Sequence, residues 1–421
     1  MKQRGNVASI KVSVERLQPG LHVRLPLKWN EHPFLFNTFK IKSQDQIHVI
    51  KHLGLKYVFV APELSDVAPR SFEEIKPEEQ APQDDAAQKL WAEKQKRIEE
   101  LSRYRRRVAK CEKEFERSLA QIRSVMAKLR NRPEQAAQEA QFLVENIVDT
   151  LLAEEDVALH LVGSKSEFED VYFHSLNVAV LSMIIAKAKK MNSEQIKQVA
   201  MAALFHDIGK IKIPPAILRK VTPLTDPELN YYKMHTKYGV DLANKIEVLS
   251  ETTIKVIDQH HEKFDGSGYP KGLKKEQIHP VAQIIAVANA FDNLCHHNIP
   301  SEKKIPYAAL SYLFKQCRHE YNQENLNILI KYMGVYPPGT IVRLTNKMVG
   351  LVVSVNSGNL LNPNVLLYDP NVPKMQAPII ALEEKELKVD KVIHPDKLPP
   401  EVREYLNPRS RVSYYFESDK G

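Results

Sequence analysis

The sequence has few cysteines, no long apolar run and no secretory signal. Its three cysteines, Cys111, Cys295 and Cys317, are odd in number and widely spaced, which argues against a disulfide framework and a cysteine-based zinc site. The most apolar run, residues 178–186, is far shorter than the ~20 residues of a membrane-spanning helix. No apolar segment follows the basic residues at the start. We therefore expect a cytoplasmic protein with ordinary thiols and no membrane span.

The charge of the chain is positive and unevenly distributed. A net charge of +8 and a pI near 9.0 suit an anionic substrate or partner. Residues 63–85 are acidic and contain prolines, whereas residues 86–132 are strongly basic. Glutamates are interleaved with the basic residues, which favours a solvated helix face over a tract for nucleic acid. We expect no nucleic acid polymer among the partners of this protein.

The period of the hydrophobic pattern changes along the 421 residues, which indicates several domains. Alternating runs predict a small β-rich N-terminal domain in residues 1–62, and an acidic linker follows in residues 63–85. A long helix is predicted in residues 86–132 and a helical domain in residues 133–335. Alternation returns in residues 336–421, which predicts a small C-terminal β region and tail. The predicted fold class is mainly α: an all-α domain between a β-rich N-terminal domain and a C-terminal barrel-like region.

Apolar residues recur every seven positions along the predicted long helix, close to the seam of a coiled coil. These residues are Leu101, Val108, Phe115, Ile122 and Leu129. Ser118 interrupts the seam. Two interpretations stay open: the helix packs on its own domain, or it forms the contact of a homodimer.

The helical middle of the chain contains a series of histidines and aspartates, with one asparagine among them. The residues are His174, His206, Asp207, His235, His260, His261, Asn289 and Asp292. Imidazole and carboxylate are ligand types that divalent metals prefer. His206 and Asp207 follow the apolar residues AALF in the segment AALFHDIGK. Burial of an imidazole and a carboxylate together requires that they be paired with other groups or bound to a metal. A carboxylate shared by two ions ~3.5–4 Å apart would suit a site that activates water for phosphoryl displacement.

A second dense segment is HHEKFDGSGYP, residues 260–270, in which two adjacent histidines precede the acids Glu262 and Asp265. Adjacent helical residues point about 100° apart, so the two histidines would serve different metal ions. Two glycines then allow the loop to turn tightly before a Tyr-Pro pair.

Together these motifs resemble the HD-GYP branch of the HD phosphohydrolase superfamily. The resemblance rests on the His-Asp pair at 206–207, Lys210 at the end of HDIGK, the His-His doublet and DGSGYP, and it covers roughly residues 165–330. The first 60 or so residues resemble the small domain that precedes many bacterial HD-GYP modules. The resemblance implies an all-α HD-type domain that hydrolyses cyclic di-GMP to linear pGpG, GMP or both by metal-activated water. It also implies two or three divalent ions, commonly iron or manganese.

The resemblance assigns roles to individual residues. The implied metal ligands are His174, His206, Asp207, His235, His260, His261, Asn289 and Asp170. The implied catalytic residues are Asp207 and Lys210. The implied substrate-binding residues are Lys210, Asp265, Gly266, Gly268, Tyr269 and Pro270. Tyr269 would stack on a guanine, or would meet a protein partner such as a diguanylate-cyclase-type signalling protein.

One position departs from the family pattern. The family reads Val-Ala-Asp where this chain reads Val-Ala-Asn and ends on Asn289. An amide oxygen can coordinate a metal, but it brings no charge and competes less well for a dication. The ligand set is otherwise complete, which makes a hydrolase the leading hypothesis. Asn289 favours the alternative, a noncatalytic sensor that binds cyclic di-GMP or a protein partner.

Overall fold

The computed structural model describes residues 9–72, 84–129, 131–153, 159–162, 171–355, 359–383, 387–407 and 413–416. The chain forms two compact units. The first comprises Met1–Tyr104 with Leu366–Ile380, and the second comprises Arg105–Val365 with Ala381–Gly421. Every helix within the described residues is too short or too polar to span a membrane.

The first unit contains a four-stranded antiparallel sheet and one short helix. The elements are β1 (Ile10–Ser13), β2 (His22–Arg24), β3 (Thr38–Lys40), α1 (Gln44–His52) and β4 (Tyr57–Val60). The strand order is β1-β4-β2-β3, so the last strand in sequence lies between the first two. Alternate residues such as Val23 and Val58 are buried, and Ile50 of α1 belongs to the same core. The prediction of an N-terminal β-rich region is confirmed.

A buried lysine near the start of helix α2 (Asp84–Lys128) contacts the segment between β2 and β3 of the first unit. The side chain of Lys94 is almost fully buried, and its ammonium donates hydrogen bonds to the carbonyl oxygens of Trp29 and His32 at 2.5 and 2.8 Å. The same ammonium lies 3.7 Å from the centroid of the Trp29 ring. Burial lowers the pKa of Lys94 to about 8.

The second unit is built mainly from helices, as predicted. They are α3 (Pro133–Ala153), α4 (Val171–Ala188), α5 (Ser193–Phe205), α6 (Pro215–Leu218), α7 (Asp226–Lys233), α8 (His235–Ala243), α9 (Glu251–Gln259), α10 (Pro280–Cys295), α11 (Pro306–Lys315) and α12 (Gln323–Met333). The interior of α4 and α10 is apolar on several faces, which is typical of helices that lie in the centre of a domain. Asn192 and Gln195 form a capping box that starts α5.

The seam residues of α2 that belong to the second unit are buried within that unit. Phe115 packs edge-to-face on Phe173 and on Tyr415, with ring centroids 5.4 and 5.8 Å apart. Ser118, which interrupts the seam, places its hydroxyl 3.2 Å from that of Tyr415. This packing supports the interpretation of a helix that covers its own domain, and the homodimer stays a prediction.

The C-terminal strands form an open sheet. They are β6 (Ile341–Leu344), β7 (Val349–Ser354), β8 (Asn364–Leu367), β9 (Ile379–Ala381) and β10 (Val389–Ile393). The order is β10-β6-β7-β8-β9, so within the described residues the sheet has two free ends and no closure. The prediction of a barrel-like region is therefore wrong, because β9 and β10 occupy opposite edges. After helix α13 (Pro400–Leu406), strand β11 (Ser413–Phe416) pairs with β5 (Leu159–Val162).

The predicted domain limits stay predictions. Eleven of the 23 residues of the predicted acidic linker, 73–83, lie outside the described residues, as does the predicted site residue Asp170.

Candidate metal centre

The centre of the site is the carboxylate of Asp207, which follows the end of α5. His206 is the C-cap of α5 and still has helical backbone angles. Asp207 is the N-cap of the 3-10 turn Ile208–Lys212. Both side chains are buried. Because α5 buries its apolar face in the core, its end delivers this polar pair into the interior of the domain.

Four histidines surround the carboxylate in two groups. The Nε2 atoms of His174 and His206 lie 3.5 and 3.3 Å from Oδ2 of Asp207. Those of His235 and His260 lie 3.4 and 3.5 Å from Oδ1. Within each group the two Nε2 atoms are 3.3 Å apart. The carboxylate thus stands between two pairs of ring nitrogens, one pair at each oxygen.

The opposite ring nitrogens fix the tautomers of three of these histidines. The Nδ1 atoms of His206, His235 and His260 lie 2.6, 2.7 and 3.0 Å from the carbonyl oxygens three residues earlier in the chain. A carbonyl oxygen only accepts hydrogen bonds, so each Nδ1 carries the proton. In a neutral ring the Nε2 atom then presents a lone pair. These lone pairs point toward Asp207.

Burial disfavours the charged form of three of the imidazoles. It lowers the pKa of His235 to about 3 and also lowers the pKa values of His260 and His261. Burial by itself would raise the pKa of Asp207, but the nearby charge of Lys210 and the contact with His206 hold it well below its ordinary value. The site therefore combines an anionic carboxylate with three rings, those of His235, His260 and His261, whose charged form is disfavoured by burial.

This set of donor atoms fits a divalent metal. Asp207 forms one group of potential ligands with His235, His260 and His261, and a second with His174 and His206. Among the described residues, Oδ1 of Asp207 and Nε2 of His261 are buried without a hydrogen-bond partner. Lone pairs that converge on a buried anion repel one another unless a cation lies between them.

A glycine explains how α8 comes so close to this centre. A Cβ atom on Gly209 would lie 1.8 Å from the carbonyl oxygen of His235 and 2.5 Å from the amide nitrogen of Gly239. Such contacts are impossible, so only glycine allows the 3-10 turn to pack against α8. The glycine of the HDIGK motif thus sets the position of His235 relative to Asp207.

His174 takes its orientation from a different kind of partner. Its Nδ1 lies 2.6 Å from Oδ2 of Asp292 on α10, and Asn177 donates to Oδ1 of the same carboxylate at 2.9 Å. Nδ1 of His296 lies 3.1 Å from that Oδ1 as well. The sequence does not indicate this role of Asp292, because the residue lies 118 positions from His174 along the chain. It orients a potential ligand in the way that outer carboxylates hold metal-bound histidines.

Residues 260–270 contribute His260 and His261 to the candidate metal site and then form a loop around the carboxylate of Glu262. The buried carboxylate of Glu262 accepts hydrogen bonds from the backbone amides of Lys271 and Leu273 at 2.7 and 2.9 Å. Glu262 therefore holds the far end of the loop. A Cβ atom on Gly268 would lie 2.3 Å from the amide nitrogen of Lys263, so the loop packs directly on its own backbone there.

The ring of Tyr269 stacks on the ring of His261, with centroids 4.6 Å apart and planes 18° apart. The peptide bond between Tyr269 and Pro270 is cis, and Pro270 is exposed. Gly266 has a φ of +87°, a conformation that favours glycine. Asp265 accepts hydrogen bonds from the amide and hydroxyl of Ser267 at 2.9 and 2.7 Å. Tyr269 therefore lies beside His261, and Asp265 stabilises its own turn.

Two other predicted site residues have partners within the protein. The ammonium of Lys210 donates to Oδ2 of Asp207 at 2.5 Å. Asn289 is buried on α10, and its amide oxygen accepts a hydrogen bond from Nδ2 of Asn293 at 2.7 Å.

Residues 146–324 match the family model described as HD domain, and residues 9–140 match a domain of unknown function, DUF3391. The chain is 30% identical over 226 residues to the cyclic di-GMP phosphodiesterase PA4108 of Pseudomonas aeruginosa, covering 54% of each protein. The chain thus carries an HD domain, which agrees with the resemblance to the HD-GYP family. Its N-terminal part carries the DUF3391 domain, which agrees with the predicted resemblance of that region.

Two further relatives match shorter regions of the chain. The cyclic di-GMP phosphodiesterase response regulator RpfG of Xanthomonas campestris is 34% identical over 149 residues, which are 35% of this chain and 39% of the relative. The cyclic di-GMP phosphodiesterase of Thermotoga maritima is 35% identical over 158 residues, 36% of this chain and 43% of the relative. The chain thus spans about half the length of the first relative, and less of the other two.

Proposed function

We propose that this protein is a metal-dependent phosphodiesterase that hydrolyses cyclic di-GMP to linear pGpG, GMP or both. The observation that carries the proposal is the buried Asp207 carboxylate between two pairs of histidine Nε2 atoms. Such a set of acceptors suits two divalent ions that share one carboxylate. The names of the relatives support cyclic di-GMP as the substrate.

The proposed metal ligands are the histidines around Asp207, together with that carboxylate. They are His174, His206, His235, His260 and His261. Two or three bound ions, with iron or manganese as the proposed metals, would supply a water of lowered pKa and stabilise negative charge on the phosphate oxygens. The chain itself holds four of the rings in place through their Nδ1 atoms, those of His174, His206, His235 and His260, and burial excludes bulk water from Asp207. No side-chain nucleophile is required.

Lys210 is the proposed contact for a substrate phosphate. Burial by itself would lower its pKa, but the charge of Asp207 raises it, so the ammonium stays protonated. A protonated lysine is a compact point charge that suits a phosphate oxygen. We propose that Asp265, Gly266, Gly268, Tyr269 and Pro270 form the substrate-side loop, since Tyr269 stacks on His261.

The alternative function is a sensor that binds cyclic di-GMP or a protein and does not turn it over. It is favoured by Asn289, which carries no charge and whose amide oxygen already accepts a hydrogen bond from Asn293. A cytoplasmic location, a signalling partner at the GYP loop and a homodimer are further parts of the proposal.

The test combines metal analysis with turnover. Protein is purified anaerobically, its metal content is measured, and cyclic di-GMP is assayed for conversion. His206→Ala and Asp207→Ala should lose metal and hydrolysis together, whereas His52→Ala, at an exposed histidine of α1, should lose neither. Lys210→Ala should retain metal and lose turnover. Full metal content in both ligand variants would contradict the assignment, and a metal-loaded wild type that leaves cyclic di-GMP intact would favour the sensor.

A further inference from the structure

A cavity of about 300 Å³ lies beside the His260–His261 doublet in the second unit. Its walls come from α10, α11 and the turn after α11, and they include both histidines of the doublet. Ligand pockets range from about 300 to 1,000 Å³, so this cavity is at the small end. It suits one nucleoside part of a dinucleotide better than the whole molecule.

One face of α10 forms the polar wall of the cavity. Asn289 and Asn293 are four residues apart on α10 and therefore lie on the same face, and His297, two residues beyond the end of the helix, also lines the cavity. Ala286 and Ala290 line it as well, and their small side chains leave the space open. The sequence of α10 thus places amides where a ligand can reach them.

The two asparagines form a pair with complementary hydrogen-bonding groups. Nδ2 of Asn293 donates to Oδ1 of Asn289 at 2.7 Å. An amide has two N–H donors and one oxygen with two lone pairs. The pair therefore presents further donors on Asn289 and an acceptor on Asn293, side by side. No other hydrogen bond found among the described residues uses these two groups.

The remaining walls suit a neutral aromatic ring. Tyr312 and Tyr321 line the cavity, and nucleobases stack on aromatic side chains. Lys263, which also lines it, is paired with Glu320 at 2.6 Å, so this wall carries no unbalanced charge. The charged phosphates of a ligand would instead meet Lys210 and the histidines around Asp207.

We propose that the cavity holds one purine base of the cyclic dinucleotide, with the Asn289–Asn293 pair hydrogen-bonded to the edge of that base. A purine edge carries donors and acceptors side by side, and asparagine pairs with such an edge through both of its groups. The inference rests on the proposed function, because it uses the same site. It assigns Asn289 to base recognition and not to the metal.

The experiment measures binding and turnover separately. The dissociation constant of a hydrolysis-resistant phosphorothioate analogue of cyclic di-GMP is determined by calorimetry for metal-loaded wild type, Asn293→Ala, Ala290→Phe and Gln316→Ala. Loss of one net hydrogen bond should weaken binding by Asn293→Ala roughly tenfold. Ala290→Phe fills the cavity and should weaken binding at least as much, whereas Gln316→Ala, at an exposed amide of the same region outside the cavity, should bind as wild type does.

Hydrolysis of bis(p-nitrophenyl) phosphate, which has no base, separates this inference from the proposed function. Relative to that substrate, kcat/KM for cyclic di-GMP should fall roughly tenfold in Asn293→Ala. Wild type that hydrolyses neither compound refutes the phosphodiesterase, but the dissociation constants still test the cavity. Unchanged dissociation constants in both cavity variants would overturn the inference. Asn289→Asp adds a second test, since a rise in metal content would return this position to the metal site and also overturn it.

Discussion

Replacement of Asp292 by asparagine tests how the site orients His174. The carboxylate meets three donors: Nδ1 of His174 at 2.6 Å, Nδ2 of Asn177 at 2.9 Å and Nδ1 of His296 at 3.1 Å. Asparagine has the same shape but only one oxygen. At least one buried donor would then face an N–H group. If that donor is His174, its ring would change tautomer and turn an N–H bond toward Asp207.

The expected loss follows from these contacts. Outer partners of metal-bound histidines contribute about 10–100-fold to metal affinity, which corresponds to about 1.4–2.7 kcal/mol. A buried donor without a partner costs a further ~1–3 kcal/mol in the free energy of unfolding. Asp292→Asn should therefore bind the metal at the His174 side 10–100-fold more weakly, while the other side keeps its affinity.

Metal affinity is measured by anaerobic competition with a chromophoric chelator, and the fold is checked by circular dichroism. The matched control is Asp241→Asn, which makes the same chemical change at an exposed position of α8. Nitrogen-15 spectra of the histidine rings report the tautomer directly. A folded Asp292→Asn protein with wild-type metal affinity and an unchanged His174 tautomer would refute the reasoning.

Two further predictions concern packing and pH. Gly209→Ala should displace α8 and His235 and lower metal content, since its Cβ would lie 1.8 Å from a carbonyl oxygen; wild-type metal content would contradict this. Burial lowers the pKa of Lys94 from 10.5 to about 8, so between these values the unfolded chain binds more protons. Thermal unfolding should therefore show stability that rises from pH 8 to 10.5 and a smaller rise in Lys94→Met, and equal slopes would contradict the assignment.

The helical domain and its HD motif could be predicted because their signals are local. Apolar periodicity identifies the helices, and the polar doublets at 206–207 and 260–261 stand out at the ends of apolar segments. The structure brings these doublets together with His174 and His235. Their roles as ligands stay predictions.

Features that depend on contacts between distant segments could not be predicted. The bond between Asp292 and His174 joins residues 118 positions apart, and nothing in either local sequence indicates it. The role of Glu262 depends on a loop that folds back upon it. The seven-residue seam predicted two arrangements equally well, because a partner helix and a neighbouring core present the same apolar surface to α2. Likewise, alternation predicted strands near the C-terminus but carried no information on whether their sheet closes.

The different anchoring of the rings has a consequence for how this site tolerates mutation over evolutionary time. His206, His235 and His260 are held by carbonyl oxygens of their own chain segment, and every residue type supplies a carbonyl. Their neighbours can therefore be exchanged freely as long as the helix ends persist. His174 instead depends on one particular side chain, so a change at Asp292 is harmless only if another acceptor arises at the same time. Epistasis in this site should thus be strongest between His174 and Asp292. Transfer of the site to another helical scaffold would require both of these residues.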